Sequence, residues 1–150
     1  MLNWFSQSPQ SDSVVITGAS TGIGAACALT LDKLGYRVFA GVRHPADGER
    51  LQQQAGPRLM PIRLDVTDAA SISAATHTVA AMVGERGLAG LVNNAGIGVA
   101  GPIELLPLAD WRRQFEVNVF GLIAVTQTFL PLIRTGRGRI INMGSIAGRA

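Results

Sequence analysis

A short β-branched run, Val14-Val15-Ile16, passes directly into Thr17-Gly18-Ala19-Ser20-Thr21-Gly22-Ile23-Gly24 and then into a helix-forming stretch. This junction constrains the fold more than any other part of the chain. A buried strand that turns through glycines into a helix gathers backbone N–H groups and the positive helix end at one point, which suits a pyrophosphate. Gly18 permits the tight turn, Gly22 lets backbone approach a ligand, and Gly24 lets the helix pack near the sheet. Ser20 and Thr21 add hydroxyl donors. The same junction also fits a glycine-rich turn with no ligand. Its spacing, G-x-x-x-G-x-G, is neither the G-x-G-x-x-G of many dinucleotide binders nor a triphosphatase loop, since no lysine follows Gly24.

Downstream, strands and helices alternate. Residues 22–34 read as a helix with Ile23, Cys27, Leu31 and Leu34 on one face, stopped by Gly35. Residues 37–42 read as a strand, 46–54 as a helix and 60–64 as a strand. Asp68 is an N-cap for a helix running to about residue 85. Residues 90–93 form a fourth strand, 108–134 a long helix and 138–143 a fifth strand. Strands that read as apolar runs between helices imply a parallel sheet covered on both faces. The expected fold is therefore α/β, a Rossmann-type doubly wound parallel sheet with five strands. Residues 1–12, polar apart from Leu2, Trp4 and Phe5, read as a loose tail. Residues 13–150 form one domain without internal repeats.

Composition narrows the function. With one cysteine, Cys27, and two separated histidines, His44 and His77, neither an internal disulfide nor a zinc cluster is expected. No continuous apolar run reaches the roughly 18 residues of a membrane span. The start of the chain has no signal-peptide pattern. These features point to a reducing cytoplasm. The net charge of +3 raises the possibility of nucleic acid. Against it, the arginines are scattered among acids and only 5% of residues are aromatic. Arg134, Arg137 and Arg139 flank Gly136 and Gly138 and read as a solvated turn.

Four further motifs follow in order: Leu64-Asp65-Val66 after the third strand, Asn93-Asn94-Ala95-Gly96 after the fourth, Asn118 in the long helix, and Asn142-Met143-Gly144-Ser145 after the fifth. With the glycine turn they resemble the short-chain dehydrogenase/reductase family from Ser13 to the end of the chain. The resemblance implies roles. Gly18, Ser20, Thr21, Gly22, Ile23 and Gly24 would hold the dinucleotide. Asp65 and Val66 would receive the adenine. Asn93 would lie on the adenosine ribose side, while Asn94, Ala95 and Gly96 would stabilise the central sheet and line the nicotinamide side. Ser145 would bond the substrate oxygen, and Asn118 would hold a relay water. Asn118 also has a second reading from spacing alone. Trp111, Phe115, Asn118, Leu122, Val125, Phe129 and Leu132 step by 4 and 3 along one face, and an amide in such a stripe equally fits a structural hydrogen bond to nearby backbone.

The end of the second strand bears on the cofactor. NAD binders usually place an acid there for the ribose 2′-OH. This chain has Val42 and then Arg43, and an arginine can pair with a 2′-phosphate. NADP(H) is expected over NAD(H). The resemblance also calls for a tyrosine about a dozen residues beyond Ser145, with a lysine four residues after it that lowers the tyrosine pKa. The only tyrosine is Tyr36 and the only lysine Lys33, both near the second strand. A domain of this kind runs to roughly 250 residues. The expectation is thus the N-terminal part of an alcohol/carbonyl oxidoreductase acting on a small molecule, a homodimer or homotetramer when complete, with a hint of retinol- or hydroxysteroid-type members in residues 35–43. A catalytically dead dinucleotide binder and a non-functional remnant are the alternatives.

Overall fold

The computed structural model describes residues 12–145. The tail expected over 1–12 therefore lies almost wholly outside the described residues. Five strands, β1 (Ser13–Ile16), β2 (Arg37–Val42), β3 (Leu59–Arg63), β4 (Gly90–Asn93) and β5 (Arg139–Asn142), alternate with helices. These are α1 (Gly22–Lys33), α2 (Pro45–Gln52), α3 (Ala69–Val83), α4 (Leu108–Phe115) and α5 (Leu122–Thr135). All pairings are parallel, in the order β3-β2-β1-β4-β5. The chain winds outward from β1 to β3, then crosses back to start β4 beside β1. That reversal opens a crevice at the carboxyl ends of the strands.

Strand residues alternate between two cores. Val15, Phe39 and Leu91 face one side with Ile72, Val79, Val125 and Phe129. Val14, Ile16, Val38, Ala40 and Val92 face the other with Ala28 and Leu51. Asp68 caps α3 as its sequence position predicts, its carboxylate accepting the Ala70 N–H at 2.9 Å.

Two helices depart from the expected packing. On α1 the buried residues are Gly24, Ala28 and Asp32, while Ile23 and Leu34 are exposed. The helix lies so close to the sheet that only small side chains fit beneath it; a Cβ on Gly24 would run into the Gly18 carbonyl and the Asn94 amide. The Asp32 carboxylate, on the same face, accepts the Gly56 N–H at 2.6 Å. The long helix is not one regular α-helix. A π-helical turn, Glu116–Gly121, joins α4 to α5. Its extra residue rotates the faces relative to each other. Val125, Phe129 and Ile133 are buried, whereas Phe115 is half-exposed.

Taken together, 108–135 is long and apolar enough to cross a membrane by length and composition, with a mean hydropathy of 1.5 over its window. A windowed average passes over the polar residues that interrupt the apolar run, Asn118 and Thr126-Gln127-Thr128. In the fold, one side of this helix packs on the sheet and much of the rest is exposed. The turn at Arg134, Arg137 and Arg139 is solvent-facing, with Arg137 at φ 50°.

Candidate functional site

At the carboxyl ends of the strands lies a cleft of about 880 Å³, a size suited to a small molecule or cofactor. Thr17 directly follows β1 and is buried. Its hydroxyl accepts the N–H groups of Asn94 at 3.0 Å and Ala95 at 2.9 Å. The Asn94 amide returns bonds of 3.0 Å to the carbonyls of Thr17 and Gly18. The segments after β1 and β4 are thereby stitched into one surface. Gly18 sits at φ 64°, and a Cβ there would fall 2.7 Å from the Ala95 Cα; the position needs glycine for both reasons.

Helix α1 starts at this surface. Thr21 precedes it in extended conformation without a side-chain cap. The first-turn N–H groups thus have no side-chain acceptor from Thr21, the situation that favours an anion at a helix N-terminus. Around Gly22, at φ 58°, the space a Cβ would take is open. An uncapped, unobstructed helix start beside a cleft fits the pyrophosphate of a dinucleotide.

A second wall comes from β2 and β3. Gly41, Val42 and Arg43 line it together with Asp65, Val66 and Thr67. The Asp65 carboxylate accepts the Thr67 N–H at 3.0 Å and its hydroxyl at 2.8 Å. The Thr67 backbone N–H holds this carboxyl below its ordinary value. The Thr67 hydroxyl and the charges of Arg43 and Arg63 act in the same direction, and partial burial opposes them.

The third wall is the 95–99 segment, held from behind by the long helix. Asn118 lies within the π-helical turn. Its Oδ1 accepts the Ile97 N–H at 2.9 Å and its Nδ2 donates to the Ile97 carbonyl at 2.8 Å. The backbone bond that spacing left open for Asn118 is thus present, and the amide faces Ile97 with both its groups. One turn earlier, Gln114 Oε1 accepts the Val99 N–H at 2.6 Å.

Among the expected site residues, Gly18, Ser20, Thr21, Ile23, Gly24, Arg43, Asp65, Val66, Ala95 and Gly96 all line this one cleft. Asn93 does not. It is buried, and its Nδ2 donates to Thr126 Oγ1 and Asn142 Oδ1 at 2.9 Å each. Strand alternation turns its side chain toward α5 and β5. Gly22 stands in the turn beside the lining, and Asn118 stands behind it. Ser145 is exposed just past β5, outside the cleft lining. The segment continues the ladder there, Met143 N–H donating to the Asn93 carbonyl at 2.9 Å.

Sequence reasoning missed Thr17, Arg113 and Gln114 as parts of the site, whereas Asn94 lines the cleft beside Ala95 and Gly96. For Thr17 the available signal was a hydroxyl directly after a buried strand. For Gln114 it was a polar side chain four residues before Asn118.

Residues 12–150 match the family model for short chain dehydrogenase. The chain is 44% identical over 143 residues to retinol dehydrogenase 5 of Mus musculus, covering 94% of this chain and 45% of that protein. It is 43% identical over 155 residues to 17-beta-hydroxysteroid dehydrogenase type 6 of Bos taurus, covering 99% and 49%. The crystal structure of serine dehydrogenase from Escherichia coli shares the fold with a TM-score of 0.84 at 30% identity, covering 92% of this chain and 64% of that one. The chain spans less than half the length of these curated relatives.

Proposed function

Because the chain belongs to the short-chain dehydrogenase family, we propose that it carries the cofactor-binding half of an NADP(H)-dependent oxidoreductase that interconverts an alcohol and a carbonyl. The observation that carries the choice of cofactor is the end of β2. Val42 and Arg43 line the cleft there, with no carboxylate at that strand end. A guanidinium favours a 2′-phosphate, and the missing carboxylate removes the usual partner of a free 2′-OH.

The nicotinamide ring supplies the hydride; the protein supplies position and electrostatics. Gly18, Gly22 and the start of α1 hold the pyrophosphate. Val66 and the Asp65 region take the adenine, with Asp65 locked by Thr67. Ala95, Gly96 and Ile97 back the nicotinamide half, and Asn118 fixes that wall through Ile97. Its amide positions backbone with one N–H and one lone pair, which leaves a second of each for the relay water that the resemblance implies. Ser145, at the same end of the sheet, orients the oxygen of the substrate. The retinol and hydroxysteroid names of the relatives support a lipophilic alcohol or ketone as substrate.

The tyrosine and lysine that exchange the substrate proton belong to a longer chain. Two observations support this: the relatives are more than twice as long, and every residue of β5 is exposed.

Titration with NADPH and NADH, for the unsubstituted chain and Arg43→Ala, tests the reading. NADPH should bind more tightly than NADH. Arg43→Ala should weaken NADPH about tenfold, the loss of one charge-assisted hydrogen bond, and leave NADH within about twofold. The 150 residues alone should bind without reducing a carbonyl. Equal affinities that ignore Arg43 would sink the NADP(H) assignment.

A further inference from the structure

The connection from β4 to α4 carries Gly96, Gly98 and Gly101. Glycine-rich backbone is costly to order. Yet its first residues form one wall of the cleft, so something must fix them. Two side chains of a single helix do so. Asn118 bonds Ile97 through both its amide groups, and Gln114 Oε1 accepts the Val99 N–H at 2.6 Å. Gln114, in α4, and Asn118, in the π-helical turn, both reach the 97–99 segment. Further along, Gly121 packs on Val66: a Cβ there would stand 2.8 Å from both Val66 Cγ2 and its carbonyl oxygen. One stretch of helix thus braces two opposing walls.

Ile97 and Val99 line the cleft, whereas Gln114 does not. Gln114 therefore acts through Val99. Without its carbonyl, Val99 loses its N–H partner next to Gly98, and the wall has to be ordered when the ligand arrives. Ordering at that moment is subtracted from the binding free energy.

We propose that Gln114 is a positioning residue for the dinucleotide, its side-chain carbonyl holding the 97–99 wall in the binding-competent place. The inference rests on the cofactor reading above.

The test compares the unsubstituted chain with Gln114→Met, which keeps side-chain length but has no carbonyl, and Gln114→Glu, which keeps an acceptor oxygen. Amide hydrogen exchange at Val99 and the NADPH dissociation constant are measured for each. Gln114→Met should speed Val99 exchange at least tenfold while the amides of Val15 and Leu91 stay protected. It should weaken NADPH roughly three- to tenfold, the range of one neutral hydrogen bond. Gln114→Glu should restore Val99 protection and most of the affinity. Unchanged Val99 exchange or unchanged affinity in Gln114→Met overturns the proposal. So does an equal affinity loss in both variants, or a loss that comes with faster exchange at Val15. An unsubstituted chain that binds no nucleotide overturns the cofactor reading first and this inference with it, a result seen before either variant is made.

Discussion

Thr17 and Asn94 tie the segments after β1 and β4 together, and Asp65 fixes its own turn through Thr67, so the cleft depends on three polar side chains. The Thr17 hydroxyl takes two N–H groups from the segment after β4. Asp65 takes both donors of Thr67. Because those donors favour the ionised carboxylate, its pKa is lowered in the folded chain. A lowered folded-state value means that the stabilisation is fully present above the unfolded-state value. It fades as pH falls through the folded one. Asp65→Asn should therefore be less stable than the unsubstituted chain at pH 7, with the difference shrinking once the pH drops below about 4. Urea unfolding at pH 7 and pH 3 measures this; a difference that stays constant between the two would contradict it.

The order of elements was legible because each strand is a short apolar run and each helix follows a turn or cap, as Asp68 shows before α3. The glycine turn was legible for the same reason: its residues announce a strand–turn–helix junction. Packing faces were harder to read. The apolar periodicity of α1 pointed to Ile23 and Leu34, but close approach to the sheet selects the smallest residues, Gly24 and Ala28, a choice made by the neighbouring strand and not by the helix. For Asn93, which lies outside the cleft lining, a motif gives the residue type and not the side of the sheet to which it turns. The stripe from Trp111 to Leu132 assumed an unbroken helix, and nothing in its spacing signals the extra residue of the π-helical turn. That turn has a measurable consequence. Phe129 is fully buried and Phe115 is 50% exposed. Phe129→Ala should cost about 3–5 kcal/mol, and Phe115→Ala less than about 1 kcal/mol. Similar costs for the two in urea unfolding would mean that the helix is continuous.

Across the whole molecule, binding surface and exposed apolar surface lie in different places. The cleft sits at the switch point between β1 and β4. The open flank is β5, where Ile140, Ile141 and Met143 are exposed, and where an unpaired edge can accept another strand. The cleft is proposed to bind NADP(H) on one surface, assembled from the segments after β1, β2, β3 and β4. Amide chemical shifts of the chain during NADPH titration test it most directly. Saturable shifts should gather at residues 18–24, 43, 65–67 and 95–99, with β5 unaffected. Shifts that do not saturate, or that gather around Arg37, Arg58 and Arg86 at the opposite ends of the strands, would contradict it.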